Sequence, residues 1–237
     1  GRWVRSTPEG VSWLGFFYGG NIVGAVFGDL LAGFYLLSVY DVGLATYVAV
    51  AINGVAALTA SGLAMWTPHQ VSAADSVENR PTQKPNSTPI YIAIALSGLG
   101  ALGAEVIWTR LLSLILGATV YTFSIILAVF LVGLGAGSGT GSFLARQIQQ
   151  PRTALAYCQI LLAAAIAWTA YTVTNAMPYW PVDPWISTSP RFIFQIDLLR
   201  CFGAIFPATL LWGLSFPLAL SAIARRTKGF SKSAGPS

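Results

Sequence analysis

Residues 119–145 read TVYTFSIILAVFLVGLGAGSGTGSFLA, without a single charged side chain. At 1.5 Å per residue, a helix of this length crosses the hydrocarbon core of a bilayer, which is about 30 Å thick. The second half of the stretch places Gly133, Gly137 and Gly141 at four-residue spacing. Small residues at that spacing line one helix face and let a neighbouring helix approach closely in lipid. The stretch therefore predicts a membrane-spanning helix that packs through a glycine face.

The rest of the chain has the same character. Of its 237 residues, 55% are hydrophobic and only 9% are charged, whereas soluble domains carry about 25% charged residues. Six segments are long and apolar enough to span a bilayer. We therefore expect an all-α integral membrane protein with about six transmembrane helices, in the lipid bilayer of a bacterial-type plasma (inner) membrane. The predicted spans are 12–38, 42–66, 90–116, 119–145, 153–177 and 194–223.

The polar stretch TPHQVSAADSVENRPTQKPNSTP, rich in Pro, Ser, Thr and Asn, divides the predicted spans into two groups. Its composition is typical of a linker. The predicted organisation is a two-helix unit, a cytoplasmic linker, a four-helix unit and a basic, flexible cytoplasmic tail. The corresponding ranges are 1–66, 67–89, 90–224 and 225–237.

The basic residues predict the orientation of the chain. With the N-terminus inside, the outer segments contain only Arg191, and the inner segments contain Arg2, Arg5, Arg80, Lys84, Arg146, Arg152, Arg225, Arg226, Lys228 and Lys232. Cytoplasmic loops of membrane proteins are enriched in Lys and Arg, so both termini are expected to be cytoplasmic. The net charge of +5 does not indicate nucleic-acid binding, because these residues lie in loops and form no basic stripe.

The first predicted span has a second glycine row, Gly20, Gly24 and Gly28, and we expect it to be a helix-packing face as well. A phosphate-binding loop is the rival reading of GLGAGSGTG. That motif follows a β-strand in a βαβ unit, whereas here a transmembrane helix precedes it. In the last predicted span, Pro207 and Pro217 each remove a backbone donor, which predicts kinks.

Five ionisable residues lie within the predicted spans: Asp29, Glu105, Arg110, Asp197 and Arg200. Charged groups in a membrane usually face the bundle interior and pair with one another. Counted along the helices, all five fall in the outer half of the bilayer, so we expect Glu105 to pair with Arg200 and Arg110 with Asp197. A polar gate or cation site, with Asp29 as the unpaired acid, is the alternative.

Recognisable catalytic chemistry is missing from the sequence. The single histidine, His69, falls in the polar linker, and Cys158 and Cys201 fall inside apolar segments. No nucleophile–base set, metal-ligand cluster or nucleotide loop is present. We therefore expect no catalytic site, no bound metal and no cofactor.

Three segments resemble the membrane region of the fused major-facilitator/spermidine-synthase family. AEVIWTRLLSLILGATVYTFSIILAVFLVGLGAGSGTGSFLAR is similar to a helix pair of that family, and FPATLLWGLSFPLALSAIAR to a later helix with a P-A-T-L-x-x-G-x-x-F-P core. YGGNIVGAVFGDLLAGF, with Asn21 and Gly33, looks like the segment that usually follows this helix. Here that segment comes first, which predicts a fragment, a truncated paralogue or one subunit of a split protein.

The resemblance implies no catalytic residue, because no stretch matches the family's soluble aminopropyltransferase domain. The expected function is that of a non-catalytic structural or accessory subunit, which docks with other membrane protein subunits through its glycine-faced helices. A transporter-like domain for polyamines or other organic cations is the alternative. A membrane anchor of a split spermidine-synthase-like enzyme is a lesser one.

Overall fold

The computed structural model describes residues 8–66, 88–179 and 190–233, and every regular element within these ranges is helical. Two helices are extended by short turns. A π-helical turn (Ala32–Leu36) and an α-helical turn (Leu37–Val39) continue the first, and Thr172–Ala176 and Met177–Tyr179 continue the fifth. The six helices are α1 (Pro8–Leu31), α2 (Val42–Trp66), α3 (Thr88–Leu116), α4 (Val120–Gln147), α5 (Pro151–Tyr171) and α6 (Pro190–Ser233).

Each helix contains a segment long and apolar enough to cross a membrane, so the prediction of six such helices, with only helical elements in the described ranges, is confirmed. The orientation of the termini stays a prediction. These segments are Gly19–Val39, Val42–Leu63, Ile90–Leu116, Val120–Gln147, Pro151–Tyr179 and Phe192–Ile223.

Two helices extend into the segments predicted to be the linker and the tail. α3 begins at Thr88, inside the predicted linker. Pro89 does not prevent this, because a backbone N–H in the first helical turn has no acceptor within the helix and its absence costs nothing there. α6 continues to Ser233, through residues expected to be a flexible tail. No proline follows Pro217 within α6, so no backbone donor is lost there. Residues 1–7, 67–87 and 234–237, which belong to the predicted first unit, linker and tail, lie outside the described ranges.

The break between α3 and α4 falls at Gly117, where the chain reverses between two spans. Gly117 has a φ of +99°, a conformation that glycine adopts without steric cost. Thr119 then caps α4, since its side-chain oxygen accepts a hydrogen bond from the Thr122 N–H at 3.2 Å. The continuous apolar run from Ile90 to Ala145 is thereby folded into two antiparallel neighbours.

The most extensive helix contact in the bundle joins α4 and α6. A side chain at Gly137 would collide with the Leu210 carbonyl of α6, and a methyl group at Gly141 would lie 2.9 Å from the Leu214 carbonyl oxygen. The contact is reciprocal, because a side chain at Gly213 of α6 would meet the Leu134 carbonyl of α4. Glycine on both helices thus allows backbone-to-backbone packing.

Other helices pack around this pair. The Trp212 ring of α6 lies between Trp108 of α3 and Phe130 of α4, with ring centroids 5.5 and 6.3 Å away. From α5, the Thr169 hydroxyl donates a hydrogen bond to the Ala204 carbonyl of α6 at 2.7 Å. The buried core therefore runs through α3, α4, α5 and α6.

Pro207 and Pro217 both lie inside α6, which stays helical across them. Because Pro207 has no N–H, the Gly203 carbonyl one turn earlier loses its usual donor. The indole Nε1–H of Trp168 in α5 donates to that carbonyl at 3.0 Å instead. A side chain from a neighbouring helix thus replaces a missing backbone bond.

α1 packs against α4, although the linker places it with α2 in a separate predicted unit. A methyl group at Gly135 of α4 would lie 2.8 Å from Ile22 Cγ2, and Gly33 lies directly against Ser124 of α4. The Phe34 ring contacts the rings of Tyr121 in α4 and Phe194 in α6, at 5.3 and 5.4 Å. α1 therefore belongs to the main bundle, because glycines at the crossing let the two backbones approach.

α2 differs from the other helices. None of the residues in Val42–Leu63 is buried, whereas each of the other five helices contains buried residues. Its main contact with the bundle is at the π-helical turn Ala32–Leu36, close to where α2 begins. α1 and α3–α6 therefore pack together, and the predicted division into units at the linker stays a prediction.

We predict that Gly137→Ala lowers the free energy of unfolding by about 1–3 kcal/mol, because the added methyl group overpacks the contact with the Leu210 carbonyl. Gly139→Ala is the matched control on the same helix, since Gly139 is exposed and no described atom lies within 4 Å of its Cβ position. That change should be neutral or stabilising by up to about 1 kcal/mol. Denaturation in detergent micelles, followed by circular dichroism, measures both; equal destabilisation would contradict the assigned contact.

Candidate functional site

The five ionisable residues of the predicted cluster occupy three helices of the bundle: Asp29 lies on α1, Glu105 and Arg110 lie on α3, and Asp197 and Arg200 lie on α6. They differ in burial, since Arg200 is 8% exposed, Asp29, Glu105 and Asp197 are half-buried, and Arg110 is exposed.

Asp197 and Arg200 form an ion pair within α6. The Arg200 Nη1 atom lies 3.6 Å from Asp197 Oδ1, one helical turn away. The expected partners across the helix interface, Glu105 and Arg110, make no ion pair with any residue in the described part of the chain. Residues three apart are neighbours on a helix surface, so Arg200 reaches its counter-charge without crossing to another helix.

Asp29 lies at the interface of α1 and α4. Its carboxyl group faces the Ser124 hydroxyl of α4. One carboxyl oxygen, Oδ2, is buried and has no hydrogen-bond partner among the described residues. Gly33 lies one turn further along the same helix face and rests on Ser124. The absence of a side chain at Gly33 thus brings α1 close enough for Asp29 to reach α4.

An aromatic layer lies between Asp29 and the turn that leads into α2. It consists of Phe34, Tyr121 and Phe194, whose rings meet from three helices. A carboxyl group at a helix interface, with one oxygen unsatisfied, could accept a proton or a hydrogen bond from an ammonium group.

Sequence reasoning did not single out Ser124, the polar neighbour of Asp29. The sequence feature that could have identified Ser124 is its spacing from Gly135. Residues eleven apart lie on the same helix face, about three turns from each other. Both residues face α1 in the structure. The glycine row at Gly133, Gly137 and Gly141 drew attention to the opposite face, which packs on α6.

The two predicted glycine rows have different surroundings. Gly133, Gly137 and Gly141 are covered by Thr209, Leu210 and Leu214 of α6. At Gly20, Gly24 and Gly28, no atom of the described chain lies within 4 Å of the position where a side chain would begin. The same four-residue spacing therefore gives one face that is filled within the chain and one that is open.

Groups of three or more His, Cys, Asp or Glu side chains that could hold a metal ion are not found among the described residues. Comparisons of the chain with protein-family models, curated proteins and solved structures give no match. The resemblance to the fused major-facilitator/spermidine-synthase family therefore stays a prediction, and so do the activities that it implies.

We predict that Asp197→Asn destabilises the fold by roughly 1–3 kcal/mol, because it removes the carboxylate that forms an ion pair with the buried Arg200 guanidinium. Glu105→Gln, a change of the same kind on α3, should leave the free energy of unfolding unchanged. Unfolding of both variants in detergent micelles provides the measurement. A loss of stability in Glu105→Gln equal to that in Asp197→Asn would show that Glu105 neutralises a buried charge.

Proposed function

We propose that this protein is a non-catalytic membrane subunit that docks in a larger membrane assembly through the glycine face of α1, defined by Gly20, Gly24 and Gly28. The observation that carries the proposal is the open space beside these three residues. The equivalent row on α4 is filled by a helix, so close helix packing is what such a row supports in this chain.

The energetics of glycine favour a partner on this face. In a helix, each glycine costs about 0.5–1 kcal/mol relative to alanine. In lipid there is no hydrophobic driving force between helices, and close van der Waals packing between backbones is the main compensation. Three glycines that face acyl chains lack this compensation, whereas a docked helix supplies it. Asn21, exposed near the same face, adds a carboxamide that can hydrogen-bond across a helix interface.

We predict that the native protein migrates in mild detergent as an assembly much larger than its own 25.1 kDa, and that Gly24→Leu or Gly28→Leu releases it. The bulky side chain would block close approach without disturbing the fold, because both positions face open space. Ala25→Leu is the matched control, since Ala25 is exposed on α1 about 100° away from Gly24. A wild-type protein that migrates as a free chain would overturn the proposal.

Asp29 favours a second candidate function, the transport of a polyamine or another organic cation. Its unsatisfied Oδ2 atom and the Ser124 hydroxyl offer oxygen acceptors to an ammonium group at a helix interface. The anchor of a split spermidine-synthase-like enzyme has no comparable support from a described contact.

If this second function is correct, proteoliposomes that contain the wild-type chain will accumulate radiolabelled spermidine, and Asp29→Asn will abolish uptake. The substitution removes the negative charge but keeps the size of the side chain. Asp41→Asn is the control, because Asp41 is exposed and accepts a hydrogen bond from the Leu44 N–H at 2.8 Å, a role that asparagine retains. Vesicles with wild-type protein that take up no more spermidine than empty vesicles would rule the function out.

A further inference from the structure

α2 has few contacts with the bundle. Its small and its large side chains nevertheless lie mainly on different sides of the helix. At 100° per residue, small side chains recur along one face in 3-4-3-4 spacing. Large apolar residues such as Leu44, Val55 and Leu58 occupy the opposite side. The small face consists of Thr46, Ala49, Asn53, Ala56 and Ala60, all of them exposed. This spacing is that of a seam between two helices, and small residues in it allow a close approach.

Asn53 lies at the centre of this face and near the middle of the membrane. Along the helix axis it is about 16 Å from Val42 and about 15 Å from Leu63, which are the ends of the apolar segment. Asn53 is therefore about equally distant from the two surfaces of a hydrocarbon core that is about 30 Å thick. A carboxamide at this depth has no water to bond, and an unsatisfied polar group in hydrocarbon is costly.

The Asn53 side chain uses part of its hydrogen-bonding capacity within α2. Its Nδ2 atom donates to the Ala49 carbonyl at 2.9 Å. A carboxamide has two N–H donors and an oxygen that accepts two bonds. The second N–H and Oδ1 are not engaged by any residue in the ranges that the structure describes. The neighbouring polar side chains differ, since the Thr46 and Thr59 hydroxyls each donate to a carbonyl of their own helix.

We propose that α2 is a self-association helix, which packs through its small face against α2 of a second copy of this chain, with the two Asn53 carboxamides hydrogen-bonded to each other. A carboxamide is donor and acceptor at once, so its own copy is a complementary partner. Two copies inserted in the same orientation place Asn53 at the same depth. A two-fold axis along the membrane normal then brings identical residues together.

The chemistry of the surroundings selects this occupant. Acyl chains offer no hydrogen bond, so lipid alone leaves the Asn53 amide unsatisfied. A different membrane protein would need a polar group at mid-depth, whereas a second copy supplies one without any further condition. The proposed dimer is independent of the docking of α1, because the α1 face and the small face of α2 are separate surfaces.

Cysteine cross-linking of the full chain in vesicles tests the interface. Ala60→Cys lies on the small face, and Leu58→Cys, the matched control, lies on the large apolar face of the same helix. The wild-type chain provides the background, because Cys158 and Cys201 are both buried. We expect oxidation to give a disulfide-linked dimer with Ala60→Cys and not with Leu58→Cys. Equal cross-linking of the two variants, or cross-linking of Ala60→Cys to a different protein, would overturn the proposal.

Energy transfer between differently labelled copies, at several protein-to-lipid ratios, tests the role of Asn53. A cross-helix amide bond in a membrane is worth about 1–2 kcal/mol, so Asn53→Leu should raise the dimer dissociation constant between about fivefold and thirtyfold. Asn53→Gln keeps the carboxamide and should retain most of the association. Thr59→Val should leave it unchanged, because Thr59 lies about 120° from Asn53 and its hydroxyl bonds Val55 and Ala56 carbonyls.

Absence of energy transfer at every density, or an Asn53→Leu chain that associates as well as wild type, would overturn the proposal. Unfolding of Asn53→Leu in detergent should match wild type, since α2 contributes no residue to the buried core. Gly24→Leu distinguishes this dimer from the proposed docking of α1: it should leave energy transfer between copies intact while it removes the larger assembly.

Discussion

The contact between the backbones of α4 and α6 is the constraint on which the bundle depends. Gly137 and Gly141 on one helix and Gly213 on the other remove the side chains that would keep the axes apart. The remaining helices are then placed by this pair, since α3 and α5 fill its flanks and α1 crosses α4 on the opposite face. In lipid there is no hydrophobic driving force between helices, because the acyl chains are as apolar as the side chains. Close packing therefore supplies much of the free energy of helix association.

The sequence predicts the number of helices and most of their boundaries, because apolar length alone selects segments that can cross a bilayer. It does not predict which face is covered. The row at Gly20, Gly24 and Gly28 has the same spacing as the buried row on α4, yet it faces open space. Spacing shows that a helix face is smooth, whereas its covering depends on which helices meet. For the same reason Asp197 was expected to pair across helices, although Arg200, one turn away, was the nearer partner.

Polar groups in the spans are satisfied in three ways. Thr46 and Thr59 bond their own helix backbone, Asp197 and Arg200 pair along one helix, and Thr169 bonds a carbonyl of the neighbouring helix. Each of these bonds engages a polar group that would otherwise be unsatisfied in hydrocarbon, which costs on the order of several kcal/mol. Asp29 and Asn53 retain unused hydrogen-bonding capacity among the described residues, and the transport candidate and the proposed self-association rest on these two groups.

The indole of Trp168 at the Gly203 carbonyl also bears on the biogenesis of the protein. The carbonyl lacks a backbone donor because residue 207 is proline, so it needs the α5 side chain as soon as it enters lipid. Translation proceeds from the N-terminus at about 5–20 residues per second, and Trp168 therefore emerges from the ribosome roughly 2–8 s before Pro207. The order of the two helices in the chain means that the donor is already available when the last span is inserted.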